Sequence, residues 1–436
     1  MAFLQRLLTP FRGSSTTANP RSPRNEDPLI GHPLAGQHII VAGAGIAGLA
    51  CVRGILQNWP QNEARPTITV YDRDPRRLPA DRGNYSLGLR SDSKSGGLQA
   101  LQKLGLLDQV MDARVAGSTS GAMVCDAHWR PFMAKKKPSA PPPFLPTSEM
   151  RITRNNLREC LIQGVHEEVE MKWQRICRSA AVLKDGKMEV GLDDGTTEEC
   201  DLLIVADGAS SKIRKCLRPD DGLNYAGVVT IGGNADFSDG NVPPRLREGF
   251  GINLGGDGHG LVCFPIEGNK FVWFLTRRSA EPRTPMKGEE AVRMKDELIA
   301  EVLREGAVFQ EPFPSLVAAT DPATLKVFNT QDKPPVKHSE VPGSCIFIGD
   351  ANHAMSPFAG NGANMAIVDG AVLGEALCTA STVASAVDTF DKDSIPRSSK
   401  AISMSHMVIS LVHATGWKFW LASLFLRLLG FLMSLR

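Results

Sequence analysis

The stretch QHIIVAGAGIAGLACV (residues 37–52) governs how the rest of the chain is read. Residues 37–42 are a short apolar run of the kind that forms a buried parallel strand. The run feeds directly into Gly43-Ala44-Gly45-Ile46-Ala47-Gly48, and a helical stretch follows to about residue 58. At such a turn Gly43 permits the tight bend, Gly45 lets the backbone approach a pyrophosphate, and Gly48 allows the helix to pack closely on the strand. The helix N-terminus offers the phosphates free N–H groups and the positive end of its dipole. Beyond a polar loop (60–66), TITVY (67–71) is a second β-rich run ending at Asp72, 24 residues after Gly48. An acid at about 20 residues accepts the ribose hydroxyls of a bound dinucleotide. Arg73, beside it, is a further candidate contact. Together these features predict a βαβ dinucleotide-binding unit and leave NAD(P) and FAD both open.

A second segment separates those two. Residues 349–364, GDANHAMSPFAGNGAN, follow the apolar run SCIFI (344–348) and lead into a helical stretch (359–377). This segment resembles the G-D-A-x-H…P…G-x-G-x-N signature of the class A FAD-dependent monooxygenases, the para-hydroxybenzoate hydroxylase-like enzymes. Its P-F-A-G-x-G-x-N wording is similar to that of the tetracycline-inactivating flavin monooxygenases. The resemblance implies that Asp350 bonds the ribityl chain. It also implies that Pro357, Gly360, Gly362 and Ala363 form a turn whose N–H groups meet the N1/C2=O edge of the flavin. Oriented N–H dipoles there stabilise an anionic reduced flavin. The family's Gln between the two glycines is Asn361 here, a shorter amide.

Two more segments carry the same resemblance. Asp207-Gly208-Ala209-Ser210-Ser211-Lys212-Ile213-Arg214 follows the apolar run 201–206 and is similar to a D-G-x-x-S-x-x-R segment that serves FAD and NAD(P)H. RITRNNLR (151–158) looks like the family's R-x-x-L helix start, which implies an FAD contact from Arg154. By itself the stretch 151–164 reads as one helix with Thr153 or Asn155 as its N-cap. Residues 84–95 are where the family's variable contact to flavin or nicotinamide is expected, with Arg90 the candidate. The resemblance runs over residues 37–401.

The implied fold is α/β: a Rossmann-like FAD-binding domain on a parallel sheet, a second domain with an antiparallel substrate-facing sheet, and a C-terminal helical tail. The expected divisions are a leader at 1–36, a discontinuous FAD-binding domain at 37–112, 148–213 and 338–372, a substrate domain at 113–147 and 214–337, and C-terminal helices at 373–436. Glycine-punctuated alternation over 228–277, as in 260–264 and 270–275, marks the second sheet. Phe264, Phe271, Trp273 and Phe274 lie on it; alternation turns only some toward a cavity, and most read as core.

The chemistry the resemblance implies is carried by the cofactor. NADPH or NADH reduces the flavin, O2 adds at C4a, and the hydroperoxide inserts one oxygen atom into an apolar or aromatic small molecule, in secondary metabolism. No protein residue is assigned as catalytic; His353 reads as a neighbour of the flavin rather than as a base. The alternatives are a flavin-dependent reductase or oxidase on the same fold, or a non-catalytic binding protein that keeps it.

Composition sets outer limits. Lys+Arg 49 against Asp+Glu 47 leaves a net charge of +2, with no basic excess for nucleic acid. Nine scattered cysteines form no C-x-x-C pair, so neither a zinc site nor a disulfide framework is expected, and a reducing, cytoplasmic setting is favoured. Residues 1–25 carry four arginines and no acid, which reads as a disordered leader, an organelle transit peptide or an interfacial anchor. Lys135, Lys136 and Lys137, in an exposed connection at 133–146, read as solvated charge.

At the other end, fourteen of the nineteen residues 417–435 are apolar, and Ser423, Arg427, Gly430 and Ser434 align as a narrow polar stripe on a helix. Spanning a bilayer would place Arg427 near its centre at a cost of about 2.5–3.5 kcal/mol. Docking on the protein body or on a second copy, or peripheral membrane contact, suits the stripe better. The sequence leaves the oligomeric state open.

Overall fold

Five short segments far apart in the chain pair into one parallel sheet, in the order Cys345–Phe347, Leu202–Val205, His38–Ala42, Thr67–Asp72, Glu170–Trp173. The first three are covered on both faces, which is why their sequences are continuous apolar runs rather than alternating ones. This computed structural model describes residues 31–78, 85–92, 96–115, 123–132, 140–248 and 251–434, and residues 32–436 form one contact unit. The arginine-bearing leader up to residue 30, the three lysines at 135–137 and positions 84 and 93–95 lie outside the described residues.

One face of the parallel sheet carries the helices Ile46–Asn58 and Gly362–Thr379, which pack on each other through glycine. A Cβ added to Gly374 would stand 2.7 Å from Gly54 Cα, and one added to Gly370 would stand 2.5 Å from Ala50 Cβ. Backbone therefore meets backbone, closer than any side chain permits. The second helix begins at Gly362 rather than at 359, because Pro357–Ala359 makes a separate 3-10 turn that Gly360 closes with φ +60°. It also runs unbroken across the division expected at 372.

Residues 151–164 are not one helix. Glu149–Thr153 is a strand paired antiparallel with Ser86–Arg90, and the helix is Arg154–Gln163. Thr153 marks the change, its Oγ1 accepting from Asn156 N at 3.2 Å as the helix cap. Met150 and Ile152 are buried at strand spacing, a two-residue alternation too short to stand out beside the helical pattern after it.

The second sheet has seven strands in the order Met286–Lys287, Lys326–Asp332, Asn224–Asp236, Lys270–Arg278, His259–Pro265, Gly251–Leu254, Met123–Asp126. It is antiparallel except at one edge, where Gly251–Leu254 runs parallel to Met123–Asp126. The pleat divides the aromatic residues. Phe271 and Trp273 face a core built with Phe313 and Leu316, while Phe264 and Phe274 are half-buried on the opposite face.

A 30-residue helix, Val383–Val412, leads to the last one, Gly416–Ser434. Here the expected polar stripe divides, and Arg427 is exposed. Gly430 is buried, Ser423 is half-buried, and the Arg427 guanidinium lies 5.8 Å from the Phe132 ring centre. Leu426, 5% exposed, packs inward with Gly430, so the packed face joins an apolar anchor to a small residue.

The helix–helix contact yields a direct expectation. Gly370→Ala should lower stability by about 1–3 kcal/mol in chemical denaturation through overpacking. Gly222→Ala, where an added Cβ meets nothing within 4 Å, should stay within about 0.5 kcal/mol of wild type.

Candidate functional site

Three turns meet at one end of the parallel sheet. Gly43 has φ +116°, and a Cβ there would overlap Ala206 O, so the first turn lies against the segment that leads into Asp207. A Cβ on Gly349 would come within 2.8 Å of Ala47 Cβ, so the Gly349-Asp350 turn rests on the first turn of Ile46–Asn58. Arg214 joins the second and third turns, donating from Nη2 to Ala209 O at 2.5 Å and from Nη1 to Ala351 O at 2.7 Å. Gly45 is the N-cap of its helix with no side-chain cap, and only Ala206 O, at 3.9 Å, would approach a Cβ there. Gly48 packs on the strand, where a Cβ would overlap Gly43 O.

Asp72 stands beside this turn. Ala44 N donates to its Oδ2 and Asp74 N to its Oδ1, each at 2.7 Å, which leaves each oxygen a lone pair for a hydroxyl. Burial lifts the Asp72 pKa above the ordinary carboxylate value, against the pull of those N–H groups and of Arg158. Arg158 is a functional candidate that sequence reasoning missed. It is 2% exposed, its Nη2 lies 3.6 Å from Asp72 Oδ2, its Nε donates to Ala44 O at 2.8 Å, and it stacks 4.9 Å from the Trp173 ring centre. The available signal was its i+4 spacing from Arg154 on the same helix. Arg73, by contrast, is exposed and lies 3.9 Å from Asp74.

Asp350 is open to solvent yet deep in the mass of protein, as a carboxylate on the wall of a concavity is. The protein around it raises its pKa, opposed by the positive charges of His353, Arg154 and Arg214. Arg154 therefore comes to the Asp350 side of the site, and its backbone N donates to Tyr85 O at 3.0 Å. Asp207 serves its own turn, accepting from Lys212 N at 2.9 Å, with Gly208 at φ +87° beside it.

After Pro357 and Gly360, no side chain caps the 18-residue helix that Gly362 and Ala363 open. A Cβ on Gly360 or Gly362 would meet nothing within 4 Å. The buried Asn361 Oδ1 has no hydrogen-bond partner among the described residues. Arg90 arrives from its strand: Nη2 lies 3.4 Å from both Ala359 O and Gly360 O, while Asn364 bridges Arg90 N and Gly88 O.

His353 is fully buried with Nε2 2.5 Å from Asp369 Oδ2. Asp369 also accepts from Gly349 N at 2.8 Å, Arg397 Nη2 at 2.9 Å and Ser394 Oγ at 3.0 Å. Burial works against both charges, but the pairing prevails: His353 is raised above its ordinary value and Asp369 is held well below its own. Neither Asp369 nor Arg397 was legible as a site residue, since nothing in their local sequence marks them. Together they immobilise the Gly349 turn.

The half-buried face of the second sheet lies opposite. Phe274 meets Phe328 edge-to-face at 5.8 Å, and the Lys326 ammonium lies over both Phe274 and Tyr85. Arg151 lies 4.4 Å from the Phe264 ring centre and donates to Ser86, tying the two-stranded ladder of Ser86–Arg90 and Glu149–Thr153 to the second sheet; burial lowers its pKa to about 10. A groove of about 430 Å³ opens nearby between Arg77, Asn155 and the turn 266–270, but its lining is rich in amides and carboxylates, unlike the aromatic face.

The FAD binding domain family model matches residues 98–405. The chain is 38% identical over 400 residues to Monooxygenase cfoF of Aspergillus candidus, covering 88% of this chain and 93% of that one. It belongs to the FAD-dependent monooxygenases. Among solved structures, this monooxygenase shares its fold with Klebsiella pneumoniae HpxO complexed with FAD and uric acid (TM-score 0.71, 20% identity, 90% of this chain and 92% of that one). It shares it also with the tetracycline destructase Tet(55) (TM-score 0.64, 17% identity, 92% and 97%).

The buried pair sets a pH dependence. Because the His353 pKa is raised above 6.5, its contribution to stability is full below that value and is lost as pH climbs through the raised one. The Tm difference between wild type and His353→Gln should be largest below pH 6.5 and shrink toward alkaline pH. A difference that stays constant across that window would contradict a charged pair.

Proposed function

We propose that the monooxygenase holds FAD across the junction of its three turns and inserts oxygen into an apolar or aromatic small molecule. The supporting observation is that the uncapped Gly45 turn and the open Asp350 carboxylate, remote in sequence, stand side by side. The residues suit the group: two helix N-termini lack side-chain caps, Gly360 and Gly362 leave open space, and Asn361 Oδ1 awaits a partner. Asp72 would take the ribose hydroxyls, the N–H groups after Gly45 the pyrophosphate, Asp350 the ribityl chain, and the Gly360–Ala363 turn the polar edge of the flavin ring. Bound FAD, reduced by NADPH or NADH and then meeting O2, supplies the electrophilic oxygen.

The chain's own part is positioning and exclusion of water. Arg90 braces the carbonyls of Ala359 and Gly360, and Asp369 fixes Gly349, so both flavin-facing turns are held rigid. Phe264, Phe274 and Phe328 give the opposing sheet an aromatic wall, with the cations of Arg151 and Lys326 over its rings, which suits an aromatic ring as substrate. His353 is committed to Asp369 and takes no proton from substrate. The nine cysteines, eight of them buried, suit a reducing intracellular setting.

Asp350→Ala should remain folded and lose FAD affinity by at least about tenfold, the loss of one charge-assisted bond. Flavin content after gel filtration and FAD titration of the stripped protein measure this. A variant that stays fully yellow removes Asp350 from the site. NADPH-driven turnover under isotopically heavy O2 should place the label in product; peroxide release alone with every substrate tried would indicate an oxidase.

A further inference from the structure

The C-terminal helix presents the wrong face to water. Its outward residues Trp417, Trp420, Leu424, Phe425, Leu428 and Phe431 are 52–69% exposed and follow helical spacing along one stripe. A continuous stripe of this size on a protein surface marks a contact with something apolar. The inner face is already satisfied: Leu426 and Phe419 join Phe358, Ile409 and Val412 in one cluster. That cluster ties the helix to the Pro357–Ala359 turn beside the cofactor site.

Charge identifies the occupant. Residues 394–436 contain no aspartate or glutamate and, beyond Arg397, which is paired with Asp369, carry Lys400, Lys418, Arg427 and Arg436. A second copy docked face to face would add its own Lys418 and Arg427 to the same interface, with no acid on either helix to pair them. An anionic bilayer surface supplies that counter-charge and also accepts the apolar stripe. Trp417 and Trp420 lie at one end of the stripe with Lys418 between them, its ammonium 5.9 Å from the Trp417 ring centre, the pairing favoured at a headgroup boundary. Among the described residues no helix is long and apolar enough to cross a membrane, so the helix lies in the interface plane rather than through it.

We infer that Gly416–Ser434 seats the monooxygenase on an anionic lipid surface, with its outward stripe in the boundary between headgroups and acyl chains. The FAD-loaded full chain should cosediment with phosphatidylcholine vesicles containing phosphatidylserine, and more weakly with phosphatidylcholine alone. Trp emission should shift to the blue on binding. The triple variant Leu424→Ser, Phe425→Ser, Leu428→Ser changes only exposed positions, so it should keep flavin and Tm while partitioning about a hundredfold more weakly. Sedimentation velocity without lipid completes the test. A wild-type chain that ignores both vesicles overturns the inference: as a dimer it uses the stripe between copies, and as a monomer it covers the stripe with its own chain. Vesicle binding that survives the triple variant overturns it as well.

Discussion

The site depends on backbone-to-backbone contact between the helices Ile46–Asn58 and Gly362–Thr379. Gly370 and Gly374 bring the helices together at distances no Cβ tolerates, with Gly54 tightly opposite them, and Gly349 sits on Ala47 where the first helix begins. A cofactor held at several points needs its turns at fixed separation, and helices in such contact cannot slide. The glycines lose more conformational freedom on folding than other residues would. That loss is offset by a fixed position for both uncapped N-termini.

Asp369 performs the corresponding work in electrostatics. It is a buried anion facing two cations and a backbone N–H, so its charge is compensated within the protein. Such clusters contribute little net stability over an apolar core, but removing one member leaves a buried charge unpaired at a cost of about 3–5 kcal/mol. The consequence is geometric: the Gly349 turn has one arrangement that satisfies every charge. This suits an enzyme whose reactive group is carried by the cofactor, because the protein must hold positions rather than donate protons.

The second sheet divides its work by pleat. One face buries Trp273 and Phe271 under helices and provides the domain with a core; the other leaves Phe264, Phe274 and Phe328 half-buried, with Arg151 and Lys326 over its rings. Arg151 ties the two-stranded ladder of Ser86–Arg90 and Glu149–Thr153 to this sheet, bonding Ser86 and stacking on the Phe264 ring. The aromatic wall and the rigid turns therefore belong to one framework, which keeps the space between them aromatic on one side and polar on the other.

Local chemistry was enough to read four of the five parallel strands, the Gly43 and Gly208 turns, the acid after the second strand and the Gly349–Asn364 segment. Each is a short run whose backbone needs, glycine at positive φ or continuous burial, are written in adjacent residues. The partners that hold those turns were not legible: Arg158 on Asp72, His353 and Arg397 on Asp369, Arg90 on the Gly360 loop. Such pairings join residues remote in the chain, and an arginine or aspartate carries no local mark of what it will meet. The last helix shows the same division. Its sequence marks an apolar side and a narrow polar stripe, but only packing decided that Leu426 and Gly430 turn inward while Arg427, Trp420 and Phe425 stay exposed, because the apolar cluster of Phe358, Ile409 and Val412 meets one side of the helix.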